Sequence, residues 1–146
     1  MSTAQAISPP QSPTRALHIS LWVVQGLLAA AFLMAGLMKL TTPIAELGQK
    51  MAWVQAVSPT LVRFIGLSEF LGALGLLLPS LTGIQPKLTA LAAGGLVTVM
   101  ILASGFHATR GEYGAIGFNL VLGGLAALVA WGRHKGAPIA ARSKTS

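Results

Sequence analysis

Apolar positions in this chain come in long unbroken runs. They do not alternate as in a half-buried strand, nor form the narrow stripe of a soluble amphipathic helix. Four runs stand out, at residues 17–38, 61–78, 88–106 and 115–131. Each comes close to the ~20 residues that a helix needs to cross the hydrocarbon of a bilayer. The first exceeds the ~7–15 residues of a signal-peptide core and no clear small-residue cleavage site follows, so it is taken as a retained span. Pro79 is expected to end the second. The links PSLTGIQPK and HATRGEYG are short enough to force antiparallel neighbours. The first link is longer, and its segment IAELGQKMAWVQAV sets Ile44, Leu47, Met51 and Val54 at helical spacing, with Trp53 beside them. That spacing predicts a short helix lying at the membrane interface. The predicted fold is all-α: an integral membrane antiparallel four-helix bundle, with the interfacial helix between spans one and two. The bundle domain covers residues 17–133. Residues 1–16, rich in Pro, Ser and Thr, predict a disordered tail. Residues 134–146 predict a flexible basic one.

At about 100° per residue, helical periodicity gives each side chain a direction. In IGLSEFLGALGLLLP, residues 65–79, Leu71, Leu74 and Leu78 share a face with Leu67, and Glu69 lies opposite, flanked by Gly66, Gly72 and Ala73. Small residues let a second helix approach, so the leucines are expected to face lipid and Glu69 the interior. On the fourth span Asn119 shares a face with Ala115, Gly123, Ala126 and Ala130, with Val121, Leu125 and Leu128 opposite. The first span carries the stripe Gln25, Ala29, Phe32, Gly36 and Lys39; the third brings Met100, Ala103, Ser104 and His107 to one side. Arg63 falls nearer the leucine face and is expected to snorkel to headgroups. The glycine pairs 94–95 and 123–124 sit inside apolar helices and are assigned to helix packing.

Composition removes the soluble alternative. Hydrophobic residues make up 53% of the chain and charged residues 9%, against about 25% charged in an ordinary soluble domain. Mean hydropathy is +0.72. The net charge of +7 does not signal nucleic acid, because the cations flank apolar runs or lie in the tails and form no basic stripe. Their distribution bears on topology instead. Arg15, Lys87, Arg133, Lys135, Arg142 and Lys144 fall on the side of the termini; Lys39, Lys50, Arg63 and Arg110 fall on the other. The bias favours cytoplasmic termini in a bacterial inner membrane, with the basic C-terminal tail meeting anionic lipid. With no cysteine, the chain has no disulfide framework, CxxC redox pair or thiolate metal site.

Three glutamates, Glu46, Glu69 and Glu112, are the only acidic residues. An acid at the centre of a membrane helix costs about 2.5–3.5 kcal/mol, so Glu69 needs a reason. Alternating helix direction brings Lys39, Arg63, His107, Arg110, Glu112 and Asn119 to the same half of the bundle. The candidate ligand-binding or proton-handling residues are therefore Lys39, Glu69, His107, Glu112 and Asn119. A pocket in which Glu69 and His107 hold a polar ligand, and an ion pair that only locks helices together, both fit this pattern. A metal held by Glu69, His107 and Glu112 is a minor alternative, and no metal is assigned.

The runs AGLMKL, IGLSEFLGALGLLLP, ASGFHATRGE and NLVLGGLAALVAWGR resemble the DoxX-like family of small bacterial membrane proteins over residues 17–133. Lys39, Glu69, His107 and Asn119 are the positions that carry the likeness. The resemblance implies a four-helix transmembrane bundle. It also implies an accessory role in a membrane oxidoreductase system linked to quinone, with redox partner subunits. A non-enzymatic assembly or interaction protein, possible as a homo-oligomer, is the alternative, and a small-solute carrier ranks behind both. No intrinsic cofactor is expected; the ligand the resemblance points to is a quinone.

Overall fold

The computed structural model describes residues 15–142, so the tail expected at 1–16 and the last residues of the C-terminal tail fall largely outside the described part. Five helices follow in order: α1 (Arg15–Thr41), α2 (Ile44–Lys50), α3 (Pro59–Thr82), α4 (Lys87–Thr109) and α5 (Tyr113–Trp131). A 3-10 turn at Ala52–Ala56 follows α2, and one π turn at Gly132–Gly136 extends α5. Helices α1, α3, α4 and α5 are each long and apolar enough to span a membrane. The chain is a multi-pass membrane protein.

α1 packs on α3, α3 on α4, α4 on α5, and α5 returns to α1. Consecutive neighbours run antiparallel, and a glycine sits at each seam. A Cβ on Gly36 would lie 2.7 Å from the Phe70 amide nitrogen, and one on Gly66 2.7 Å from Lys39 Cβ. Between α3 and α4, a Cβ on Gly72 would meet Leu96 at 2.5 Å and one on Gly75 would meet Ala92 at 2.6 Å. Gly123 would press on Met100 at 3.1 Å, and Gly132 on Leu21 at 2.5 Å. Lipid gives helices no hydrophobic reason to associate, so close backbone approach and dispersion must hold them. Gly123 thus does the packing expected of it. A Cβ on Gly94, Gly95 or Gly124 would meet nothing within 4 Å, so these three take no part in the bundle's seams.

The core between the helices is Leu28, Ala29 and Phe32 from α1, Ala73 and Leu76 from α3, Ala93, Leu96 and Met100 from α4, and Ala126 and Val129 from α5. Most of the outward leucines are where periodicity set them: Leu67, Leu71 and Leu78 are exposed, as are Val121, Leu125 and Leu128, while Leu74 on the same face is half-buried. The whole α1 stripe, Gln25 to Lys39, is buried. A smaller cluster closes one end. There Leu47 and Val54 are buried against Val62, with Met38, Ile44, Met51 and Trp53 around them. The link between α1 and α3 is therefore a packed cap in two short pieces, broken at Met51, whose backbone is extended.

Pro79 does not end α3. The helix runs one further turn to Thr82 and closes at Gly83, whose φ of 69° only glycine adopts without cost and whose amide donates to the Pro79 carbonyl at 3.1 Å. Proline removes its own N–H but leaves its carbonyl free to accept. The Ser80 and Thr89 hydroxyls, 2.7 Å apart, bind this added turn to α4.

Candidate functional site

The polar end of the bundle is set by the glycine crossing of α1 and α3. Gly36 faces Phe70 and Gly66 faces Lys39, so Glu69 stands about three residues deeper than Lys39, near 4–5 Å along the axis. Side chains on a helix lean toward its N-terminus. In an antiparallel pair the two lean toward each other: Lys39 reaches down α1 while Glu69 reaches up α3. They meet at 2.7 Å between Nζ and Oε2, with side chains 9% and 6% exposed. Arg63 does not snorkel. It is half-buried and its Nη1 donates to the Lys39 carbonyl, which satisfies one of the carbonyls that the end of α1 leaves without a helical donor.

A second ionic group sits at the α4–α5 turn. Gly111, at φ 69°, reverses the chain so that Glu112 comes back over the end of α4. One Glu112 oxygen lies 2.5 Å from His107 Nδ1, and the other accepts from Arg110 Nε at 2.8 Å. These hydrogen bonds, His107 first and Arg110 second, hold the Glu112 carboxyl below its ordinary range. An ionised carboxylate only accepts, so Nδ1 of His107 carries the proton and donates. Ring edges from Trp53 and Phe106 flank the imidazole at centroid distances of 6.4 and 5.8 Å.

The five candidate residues thus form two pairs and one unpaired amide. Lys39 holds Glu69, and His107 holds Glu112. No hydrogen bond joins His107 to Glu69 among the described residues. Asn119 is 8% exposed and its Nδ2 has no partner; Ser104 Oγ is likewise buried without one. Antiparallel packing sets Met100 beside Gly123, so Ser104 and Asn119, each one turn further toward the polar end, stand at the same level. Two buried hydrogen-bonding groups without partners therefore share the α4–α5 half of this end. Among the described residues, no three His, Cys, Asp or Glu side chains gather as a metal would require.

The opposite end holds a polar group that periodicity did not reveal. Arg133 is 4% exposed. Its Nε donates to Gln25 Oε1 at 2.8 Å, and Gln25 in turn donates to the Leu76 carbonyl. Nη1 reaches the Ala137 carbonyl at 3.3 Å and lies 3.4 Å from His18 Nδ1, and the guanidinium lies 5.0 Å over the Trp22 ring. The signal was in the sequence: Arg133 follows Asn119 and Ala126 at intervals of seven, which keeps all three on one helix face.

The profile of the DoxX-like family matches residues 23–129 of the chain. No similar curated protein and no similar solved structure was found.

Proposed function

The chain belongs to the DoxX-like family, and from that premise we propose that it is an accessory subunit of a quinone-linked oxidoreductase in a bacterial inner membrane, with both termini cytoplasmic. The observation that carries this reading is the pair of unpartnered groups, Asn119 Nδ2 and Ser104 Oγ. A buried donor without a partner costs about 1–3 kcal/mol, and a quinone carbonyl is an acceptor of the size and polarity that would satisfy it. Lys39–Glu69 and His107–Glu112 supply acid–base groups at the same end of the bundle. Electrons would come from a partner subunit. The cation bias toward the end of the termini supports the orientation.

The short Lys39–Glu69 contact favours a second reading, in which the pair locks α1 to α3 and the protein serves assembly or interaction. The two separate cleanly. Protein purified from native membranes in mild detergent should carry a prenylated quinone or a redox subunit, detected by native mass spectrometry. Asn119→Leu, which replaces the unpartnered amide by an apolar group of similar volume, should release the quinone and leave the protein folded. If neither quinone nor redox subunit accompanies the protein, and Glu69→Gln leaves respiration unchanged while lowering protein abundance, the redox reading fails and the locking role stands.

A further inference from the structure

Arg133 is a full positive charge, since arginine does not deprotonate in proteins. It donates to the Gln25 side-chain oxygen and the Ala137 carbonyl, none of the ion pairs among the described residues includes it, and Nη2 has no partner among them. No side-chain carboxylate of the chain can reach it, because Glu46, Glu69 and Glu112 all lie at the other end of the bundle. Buried charges are ordinarily paired. None of the described residues supplies the counter-charge for this one.

The surroundings say what kind. After the π turn the chain folds back across the bundle end: Ala137 is fully buried, and the Arg142 amide donates to the Gly83 carbonyl at 2.9 Å. A cavity of about 880 Å³ lies between this returning segment and the α3–α4 turn. Its cationic lining is Lys87, Arg133 and Arg142, with His134 beside them, and its apolar lining includes Ile84 and Ile139. α4 begins here at Lys87, after Pro86, with no side-chain cap and no acid in its first turn, so the positive end of a 23-residue helix adds to the same field.

We propose that this cavity holds the phosphate headgroup of an anionic phospholipid, with Arg133, Lys87 and Arg142 as its counter-charges. A small inorganic anion would use the cations alone. A phosphodiester on an acylated glycerol uses both parts of the lining: cations for the phosphate, isoleucines for the start of the acyl chains. The position fits as well, since the cavity opens where α3 ends and α4 begins, at the edge of the spanning segments. The assignment is independent of the quinone reading, which concerns the other end.

The test is lipid retention by the full-length protein. Purified in mild detergent, it is equilibrated with equal amounts of phosphatidylglycerol and phosphatidylcholine of identical acyl chains and measured by native mass spectrometry. Wild type should retain phosphatidylglycerol preferentially. Lys87 and Arg142 are exposed, so Lys87→Ser with Arg142→Ser should fold normally and reduce the preference by about fivefold for each cation removed. Lys135→Ser removes an exposed cation of the same region that does not line the cavity, and should leave the preference intact. Equal retention of both lipids by wild type would overturn the proposal. So would a Lys135→Ser loss as large as that of the double variant, which would mark a diffuse basic surface. Displacement of phosphatidylglycerol by millimolar inorganic phosphate would also overturn it, in favour of a free-phosphate site.

Discussion

The two ends of this bundle solve the same problem, a charge inside an apolar protein, in different ways. At one end Lys39 meets Glu69 and Arg110 meets Glu112, so each of these carboxylates has its opposite within the chain. At the other end Arg133 has an amide, a carbonyl and an aromatic face but no carboxylate. The first arrangement is self-contained and fixes how α1 sits on α3. The second is complete in geometry but unbalanced in charge, and it borders a cavity. The difference teaches where to look for an outside partner: a hydrogen-bonded group can still be electrostatically unfinished.

The contrast can be broken from its stronger side first. Glu69→Ala or Lys39→Ala leaves a buried charge alone and should cost about 3–5 kcal/mol, read as a fall in thermal unfolding midpoint in detergent and in membrane abundance. Lys39→Met combined with Glu69→Leu should recover most of that loss; a double variant as weak as either single one would mean that the pair does more than neutralise itself. Arg133→Met should cost less, about 1–3 kcal/mol, because it strands neutral acceptors, the Gln25 side-chain oxygen and the Ala137 carbonyl, and no charge. The same change removes the cation above Trp22 and should alter its fluorescence. A loss equal to that of Glu69→Ala would erase the distinction between the two ends. The smallest effect concerns the α4–α5 turn. Glu112 is held below its ordinary pKa of 4.5 when folded, so its contribution is present above that pH and is lost as the pH falls through the lower folded value. The unfolding midpoint of wild type should therefore drop more steeply on acidification than that of Glu112→Gln, and identical profiles would count against the His107–Glu112–Arg110 tie.

Sequence periodicity located the spans and most of the faces because a bilayer imposes both. Hydrocarbon demands about 20 apolar residues, and a helix interior demands small or polar ones. Glu69, Gln25, Asn119 and the outward leucines followed from those constraints alone. Pairing did not, because angular position says which way a side chain faces but not at what depth its neighbour stands. His107 was grouped with Glu69, yet it took the carboxylate five residues on, since Gly111 turns the chain back sharply. Arg63 looked lipid-facing by angle and instead found the end of α1, a partner that no helical wheel contains. Arg133 escaped notice for a different reason. An arginine at the end of an apolar run looks like a topology signal, and only its seven-residue spacing from Ala126 and Asn119 marked it as interior. Pro79 was expected to stop α3, but the helix needed only one more turn to reach a glycine.

The separation of acids from bases has a further effect once a voltage is applied. One end of the described protein carries Lys39, Lys50, Arg63 and Arg110 against three glutamates; the other carries Arg15, Lys87, Arg133, Lys135 and Arg142 against none. A membrane potential does about 2.3 kcal/mol of work on each unit charge per 100 mV. The bundle is therefore a polarised object along the bilayer normal, and the resting potential of an energised membrane favours the insertion that puts the Arg133 end on its negative side. Collapse of that potential would remove this part of the preference while leaving every contact inside the bundle unchanged.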